Sequence, residues 1–118
     1  MLSIGGDNLI VLNQQLKKGI LEIIVLKIIS EEDVYGYELI KKMEMQSDGY
    51  YTIKEGSLYP ILYRLEDKKY IESYSKIFEG ERRVPRKYYK ITQTGQEALN
   101  EMLEQWSSFK KTTSRMLG

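Results

Sequence analysis

Arginine and lysine are the side chains whose spacing in this sequence most clearly indicates a chemistry. Six basic residues and two acidic ones fall within the fifteen positions from 76 to 90, a surplus of four positive charges, whereas the whole chain carries only +1. The basic residues of this segment are Lys76, Arg82, Arg83, Arg86, Lys87 and Lys90. A short basic segment in a near-neutral protein is suited to binding a polyanion such as nucleic acid.

Catalysis and metal binding are restricted by what the sequence lacks. There is no cysteine and no histidine, which excludes catalytic triads built on them and the usual zinc ligands. Neither G-x-x-x-x-G-K-[ST] nor G-x-G-x-x-G occurs, so no phosphate-binding loop is indicated. A carboxylate- or lysine-based enzyme remains chemically allowed, but no paired acids converge on a predictable pocket. We expect a protein that is not an enzyme and that needs no cofactor.

Length and composition predict one small folded domain. Of 118 residues, 42% are hydrophobic, and ten are tyrosines, which is too apolar and too aromatic for a disordered chain. The richest apolar run, Ile20 to Ile29, is much shorter than the roughly 18 residues of a membrane span. No basic region precedes an apolar one at the N-terminus. We therefore expect no signal peptide and a cytoplasmic location.

Hydrophobic spacing predicts a mainly α-helical fold with a small β-hairpin. The predicted helices and strands, in chain order, are Asn13–Ile29, Tyr35–Met45, Lys54–Lys68, Ile71–Phe78, Arg86–Thr92 and Gln93–Leu117. The third helix has the clearest pattern, with apolar residues at i, i+3, i+4 and i+7. These expected core residues are Leu58, Ile61, Leu62 and Leu65.

The ends of the helices carry recognisable signals. Gly49 is expected to terminate the second helix in a left-handed conformation. Pro60 indicates that the third helix either starts near Ser57 or is bent at its start. The last helix is expected to be capped by a capping box that begins at Thr94, or by Thr92.

The last helix also carries an apolar seam with alternating spacings of three and four residues. Its members are Leu99, Met102, Trp106, Phe109, Thr113 and Met116. This a/d spacing is typical of a helix that packs on a partner helix. Left uncovered, the seam would be a larger apolar patch than soluble monomers usually expose, so we expect a homodimer.

Three helices followed by a hairpin with a basic tip is the order of a winged helix-turn-helix. In that arrangement the third helix enters the major groove, and the wing touches the DNA backbone or the minor groove. We expect residues 1–92 to form this DNA-binding domain. Residues 93–118 are expected to form a C-terminal dimerisation helix within the same compact unit.

The sequence resembles the PadR family of transcriptional regulators in four segments. They are LKKGILEIIVLKII (16–29), YGYELIKKM (35–43), GSLYPILYRLE (56–66) and RKYYKIT (86–92). The resemblance covers roughly residues 12 to 110. It implies a cytoplasmic homodimer that represses transcription from a palindrome-like operator and is often released by a small aromatic ligand. The chain resembles the short branch of the family, which has one C-terminal helix.

The expected DNA contacts lie at the start of the second helix, on the third helix and in the wing. They are Tyr37, Ser57, Tyr59, Tyr63, Arg64, Arg82, Arg83, Arg86 and Lys87. Cations neutralise phosphates, while small and aromatic side chains meet base edges and sugars. Packing within the protein is the open alternative for Tyr37 and Tyr59. Arg64 has the alternative of pairing with Glu66 or Asp67.

Trp106 is a candidate ligand-binding residue. The resemblance implies that in short, multidrug-binding members a tryptophan in this part of the last helix stacks with its two-fold mate around flat aromatic compounds. The residues expected to line such a slot are Leu16, Ile20, Met102, Trp106 and Phe109. A purely structural role at the dimer interface is the alternative.

A protein-interaction winged helix that binds no DNA is the alternative function. It would require an acidic or apolar exposed side on the third helix. That helix instead carries Tyr59, Tyr63 and Arg64 next to an arginine-rich wing, which favours DNA.

Overall fold

The computed structural model describes residues 6–77 and 85–118, with side chains from residue 16 onward. The elements are α1 (Gly6–Glu31), β1 (Val34–Tyr35), α2 (Gly36–Gln46), α3 (Glu55–Asp67), β2 (Ile71–Lys76), β3 (Arg86–Ile91) and α4 (Gln93–Leu117). This order confirms the predicted fold, mainly helical with a small β-hairpin. α1 begins well before the predicted Asn13, because the sequence from Leu9 to Gln15 contains no glycine or proline to end a helix.

The strands form one antiparallel sheet in the order β1-β3-β2. β2 and β3 pair along their full lengths, which confirms the predicted hairpin. β1 adds a short third strand, with Val34 opposite Tyr89. The sequence did not predict β1, because two residues are too few to show an alternating pattern. Phe78, the predicted end of β2, lies outside the described residues, and β3 ends at Ile91 because Thr92 caps α4.

Every helix and strand contributes to one apolar core. The four expected residues of α3, Leu58, Ile61, Leu62 and Leu65, are all buried in it. The C-terminal half of α1 supplies Val25, Leu26, Ile28 and Ile29. Burying each such side chain contributes about 1.5–3 kcal/mol. α1 packs against α2, α3, β3 and α4, which agrees with its apolar residues on most of its circumference.

The turn that ends α2 has the predicted left-handed geometry. Gly49 has a φ of +81°, and Asp48 before it has a φ of +51°. The Gly49 N–H donates to the Glu44 carbonyl over 2.8 Å, and the Asp48 N–H donates to the Met45 carbonyl over 3.3 Å. These two bonds form a Schellman motif, which satisfies the last carbonyls of the helix.

α3 runs without interruption from Glu55 through Pro60, so it does not start at Ser57. Pro60 lacks the N–H that would pair with the carbonyl four residues earlier. That carbonyl belongs to Gly56, which is exposed to solvent. Water can therefore satisfy it, and the proline is tolerated close to the start of the helix.

Thr92, and not Thr94, caps α4. Its hydroxyl oxygen accepts from the Gly95 N–H over 2.9 Å, and the same hydroxyl donates to the Lys69 carbonyl over 2.6 Å. The Thr92 N–H donates to the Tyr70 carbonyl over 3.0 Å. The start of α4 is thereby held against the segment that joins α3 to β2.

Replacing Gly95 by alanine should destabilise the fold by about 2 kcal/mol or more. A Cβ at this position would overlap the Tyr70 carbonyl oxygen, which is backbone and cannot easily move. Gly56→Ala is the matched control, since nothing lies within 4 Å of its added Cβ and alanine is favoured in helices. Urea denaturation, followed by circular dichroism, measures the free energy of unfolding of both variants. Equal stability of the two variants would contradict the packing described for Gly95.

Candidate nucleic-acid interface and apolar cavity

α3 turns its apolar side into the core and leaves polar and aromatic side chains outside. Ser57, Tyr63 and Arg64 are exposed, and Tyr63 is 57% accessible. Tyr59 is half-buried, and its hydroxyl oxygen lies 3.1 Å from the place where a Cβ on Gly36 would be. Tyr59 therefore packs on the start of α2. Such packing within the protein was the alternative to DNA contact that the sequence left open for this residue.

Tyr37 remains at the surface at the start of α2. Its side chain is 56% accessible. Its ring stacks on that of Tyr35, with centroids 6.5 Å apart, and the Lys41 ammonium lies 5.5 Å from the Tyr37 centroid. The ring is thus held from two sides while one part of it stays open to solvent.

Three tyrosines, Tyr35, Tyr88 and Tyr74, lie side by side across the sheet and are called here the tyrosine row. They are opposite one another in the strand register, with centroid separations of 5.5 and 5.7 Å. Arg86 is half-buried, and its guanidinium carbon lies 4.8 Å from the Tyr35 centroid. The Lys76 ammonium lies 5.8 Å from the Tyr88 centroid. These are cation–π distances, so the cations at the base of the wing are oriented by aromatic rings.

A hydrogen bond ties the tyrosine row to the loop before β1. The Tyr74 hydroxyl donates to an Asp33 carboxylate oxygen over 2.6 Å. This bond, followed by desolvation and the nearby negative charge, raises the pKa of Tyr74 to about 12. Tyr74 therefore stays protonated and keeps donating at neutral pH. Sequence reasoning missed Asp33, Tyr35 and Tyr74, because their contacts depend on the pairing of β1 with β3.

The remaining predicted cations differ in their surroundings. Lys87 is exposed on β3, with its ammonium 5.5 Å from the Tyr89 centroid. Arg64 pairs with neither Glu66 nor Asp67 among the ion pairs found in the described residues. Its Nε lies 3.7 Å from Glu22 Oε1 of α1. The wing-tip arginines at 82 and 83 lie outside the described residues.

The start of α2 lies between α3 and the wing. Tyr63 and Tyr59 are neighbours, with ring centroids 6.3 Å apart, and Tyr59 packs on the backbone of Gly36. The residue before Gly36 is Tyr35, whose ring contacts both Tyr37 and Arg86. Tyr63, Tyr37 and Arg86 therefore lie on neighbouring elements around the start of α2.

A largely apolar cavity of about 270 Å³ lies between α1 and α4. It is lined by Leu16, Gly19, Ile20, Ile23, Met102, Gln105, Trp106 and Phe109. All five predicted ligand residues are in this set. Gly19, Ile23 and Gln105 were missed. Gly19 and Ile23 complete an i, i+3, i+4, i+7 stripe with Leu16 and Ile20 that the helical period reveals.

Trp106 is half-buried at this cavity. Its ring stacks on Phe109 at 5.9 Å, and the Lys110 ammonium lies 5.8 Å from its centroid. The predicted seam is not exposed along its whole length, because Leu99 is buried in the core of this chain and Met102 packs against that core. Farther along α4 the seam is open to solvent, with Phe109 62% and Met116 80% accessible. Trp106 and Phe109 thus form an aromatic border of the cavity within a single chain.

Residues 6–77 and 85–118 contain neither a cluster of metal ligands nor a membrane-spanning helix. No group of three or more acidic side chains in these ranges is arranged to hold a metal ion. Within the same ranges, no helix has the length and apolar character needed to cross a membrane.

Comparisons with known proteins identify the family. A sequence model of the transcriptional regulator PadR-like family matches residues 25–101. The crystal structure of a PadR-like transcriptional regulator from Bacillus cereus is 40% identical, covers 87% of this chain and 96% of its own, and has a TM-score of 0.75. A transcriptional regulator from Clostridium thermocellum is 35% identical, covers 88% of this chain and 99% of its own, and has a TM-score of 0.79.

A curated relative agrees with these structures. The transcriptional regulator YqjI of Escherichia coli is 34% identical over 87 residues, which are 74% of this chain and 39% of YqjI. The winged arrangement of α3 and the hairpin, the family match and the similar structures agree. This chain belongs to the PadR-like family, which is a family of transcriptional regulators and not of enzymes.

Proposed function

We propose that this chain is a homodimeric repressor that binds operator DNA and is released by a planar aromatic ligand. The observation that carries the proposal is that Tyr63 of α3 and Arg86 of the wing both lie next to the start of α2, Tyr63 by way of Tyr59 and Gly36, and Arg86 by way of Tyr35. A winged helix-turn-helix uses these same units to bind duplex DNA. Such a repressor acts in the cytoplasm.

The candidate residues divide into two kinds of contact. Ser57 and Tyr63 are exposed on α3 and are suited to base edges and sugars in the major groove. Arg86 and Lys87 are cations on β3 and are suited to phosphates, and the sequence predicts the same role for the arginines at 82 and 83. Tyr37 is exposed at the start of α2 and is suited to sugars and phosphates. Residues 1–92 thus form the DNA-binding unit. Residues 93–118 join two such units.

The exposed seam of α4 supports dimerisation. Phe109 and Met116 of the seam, and Leu117 next to it, are each more than 60% accessible, and a second copy of α4 would remove this apolar surface from water. A two-fold dimer presents two copies of α3, which agrees with a palindrome-like operator.

The cavity between α1 and α4 supports a ligand site next to that interface. Trp106 offers an aromatic surface, and stacking adds about 0.5–1.5 kcal/mol beyond the burial of area. Lys110 already lies near the Trp106 ring, so a cationic ligand would compete with this lysine. To release DNA, the ligand must prefer a dimer whose α3 helices no longer fit the operator. A ligand that binds both states equally shifts nothing.

Lys87→Ala and Tyr63→Ala should separate phosphate contact from base recognition. An operator is first selected from random duplexes, and binding to it and to an unrelated duplex is measured by fluorescence anisotropy at several salt concentrations. Lys87→Ala should weaken both complexes alike and reduce the salt slope by about 0.9. Tyr63→Ala should weaken operator binding by roughly tenfold with little change in slope.

Lys111→Ala, at an exposed position of α4, is the control and should leave both affinities unchanged. Failure of the unmodified protein to bind any duplex at low salt would reject the proposal. That result would favour the protein-interaction module.

Phe109→Glu should convert a dimer into a monomer at micromolar concentration, because it introduces a charge into the apolar seam. Sedimentation velocity should give twice the chain mass of 13.9 kDa for the unmodified protein. Ser108→Glu adds the same charge at an exposed position off the seam and should remain dimeric. A monomeric unmodified protein would contradict the dimer.

Trp106→Ala should abolish the response to planar aromatic compounds while DNA binding persists. Acridine dyes and riboflavin serve as probes. They should quench the fluorescence of Trp106, which is the single tryptophan, and lower operator affinity. Trp106→Phe should retain part of the response. Unquenched fluorescence across the probes, or an unchanged response of the alanine variant, would rule out this site.

A further inference from the structure

Glu22 of α1 contacts two cations of α3. Its Oε1 lies 3.7 Å from Arg64 Nε and 3.4 Å from Lys68 Nζ. The Glu22 side chain is only 26% accessible, whereas those of Arg64 and Lys68 are 55% and 46% accessible. A partly buried carboxylate is therefore shared by two solvent-exposed cations.

The positions of the two cations explain why one carboxylate reaches both. Arg64 and Lys68 are four residues apart at the end of α3, so they lie on the same side of the helix. Glu22 lies on a different helix, which the core holds in place through Val25 and Leu26. The carboxylate is therefore fixed relative to α3 and is partly protected from screening by salt.

We propose that Glu22 suppresses binding to non-specific DNA by competing with phosphates for Arg64 and Lys68. This inference rests on the proposed function, because it concerns the helix that binds DNA. Non-specific affinity comes almost entirely from cations that neutralise phosphates and release counterions. A phosphate that takes either cation must first displace the Glu22 carboxylate, and this exchange reduces the gain from each contact.

The consequence is that Glu22 lowers the electrostatic part of the affinity for DNA. Unrelated DNA offers little besides phosphate contacts, so its complex is left weak. The operator complex loses the same factor when it displaces the same carboxylate, but base and sugar contacts from Ser57 and Tyr63 keep it stable.

Glu22→Gln tests the inference, because it removes the charge and keeps the shape. Binding of the full chain to a random-sequence duplex is measured across salt concentrations. We expect non-specific affinity to rise by roughly tenfold at low salt and the salt slope to steepen by about 1.8, the value for two more phosphates. Operator affinity should rise by a similar factor, because the same carboxylate is displaced in both complexes. Glu22→Asp, which keeps the charge but withdraws it by one methylene, should show part of the gain.

Two controls isolate the contact from net charge. Glu31→Gln makes the same charge change at an exposed position of the same helix and should leave the salt slope unchanged. In a variant that already carries Arg64→Gln and Lys68→Gln, the further change Glu22→Gln should alter the salt slope and the non-specific affinity no more than Glu31→Gln does. Circular dichroism establishes that each variant is folded.

The possible results distinguish a failure of this inference from a failure of the proposed function. If the unmodified protein prefers its operator but Glu22→Gln and Glu31→Gln have the same slope and non-specific affinity, the role of Glu22 is wrong and the repressor proposal stands. A gain in non-specific affinity that persists when Arg64 and Lys68 are both replaced by glutamine would also overturn the proposed role of Glu22. If the unmodified protein binds no duplex, both are rejected.

Discussion

The burial of the C-terminal end of α1 is the constraint on which both candidate sites depend. Val25, Leu26 and Ile29 are fully or almost fully buried, so the core fixes the direction of the part of the helix that precedes them. That preceding part, residues 16–23, lines the cavity and places Glu22 beside α3. It also reaches the turn between α2 and α3, where the Lys17 ammonium donates to the Tyr50 carbonyl over 2.7 Å. A ligand that displaced this part of α1 would therefore alter its contacts to α3.

The base of the wing is fixed by a different kind of interaction. The tyrosine row gives the small sheet an aromatic surface on which Arg86 and Lys76 lie. The hydrogen bond from Tyr74 to Asp33 joins this surface to the end of α1. Because Tyr88 is buried and Tyr74 is hydrogen-bonded, the cost of ordering these two rings is met when the protein folds.

The existence of all four helices could be predicted from the sequence, because their hydrophobic period is repeated over several turns. The bounds predicted for α4 coincide with those observed, and those of α3 agree to within one residue at each end. The start of α1 was predicted at Asn13 instead of Gly6. β1 could not be predicted from two residues. Five of the eight cavity residues followed from helical spacing and from the family resemblance together. The pairing of Arg64 with Glu22 could not, because residues 42 positions apart in the sequence meet only through the packing of α1 on α3.

Hydroxyl-radical footprinting on a selected operator tests the central claim most directly. The pattern of protected DNA positions reports where α3, the wing and the dimer axis lie on the operator. We predict two protected half-sites related by two-fold symmetry, with centres about one helical turn, roughly 34 Å, apart. A single protected patch, or no protection at concentrations where the protein is dimeric, would contradict the account.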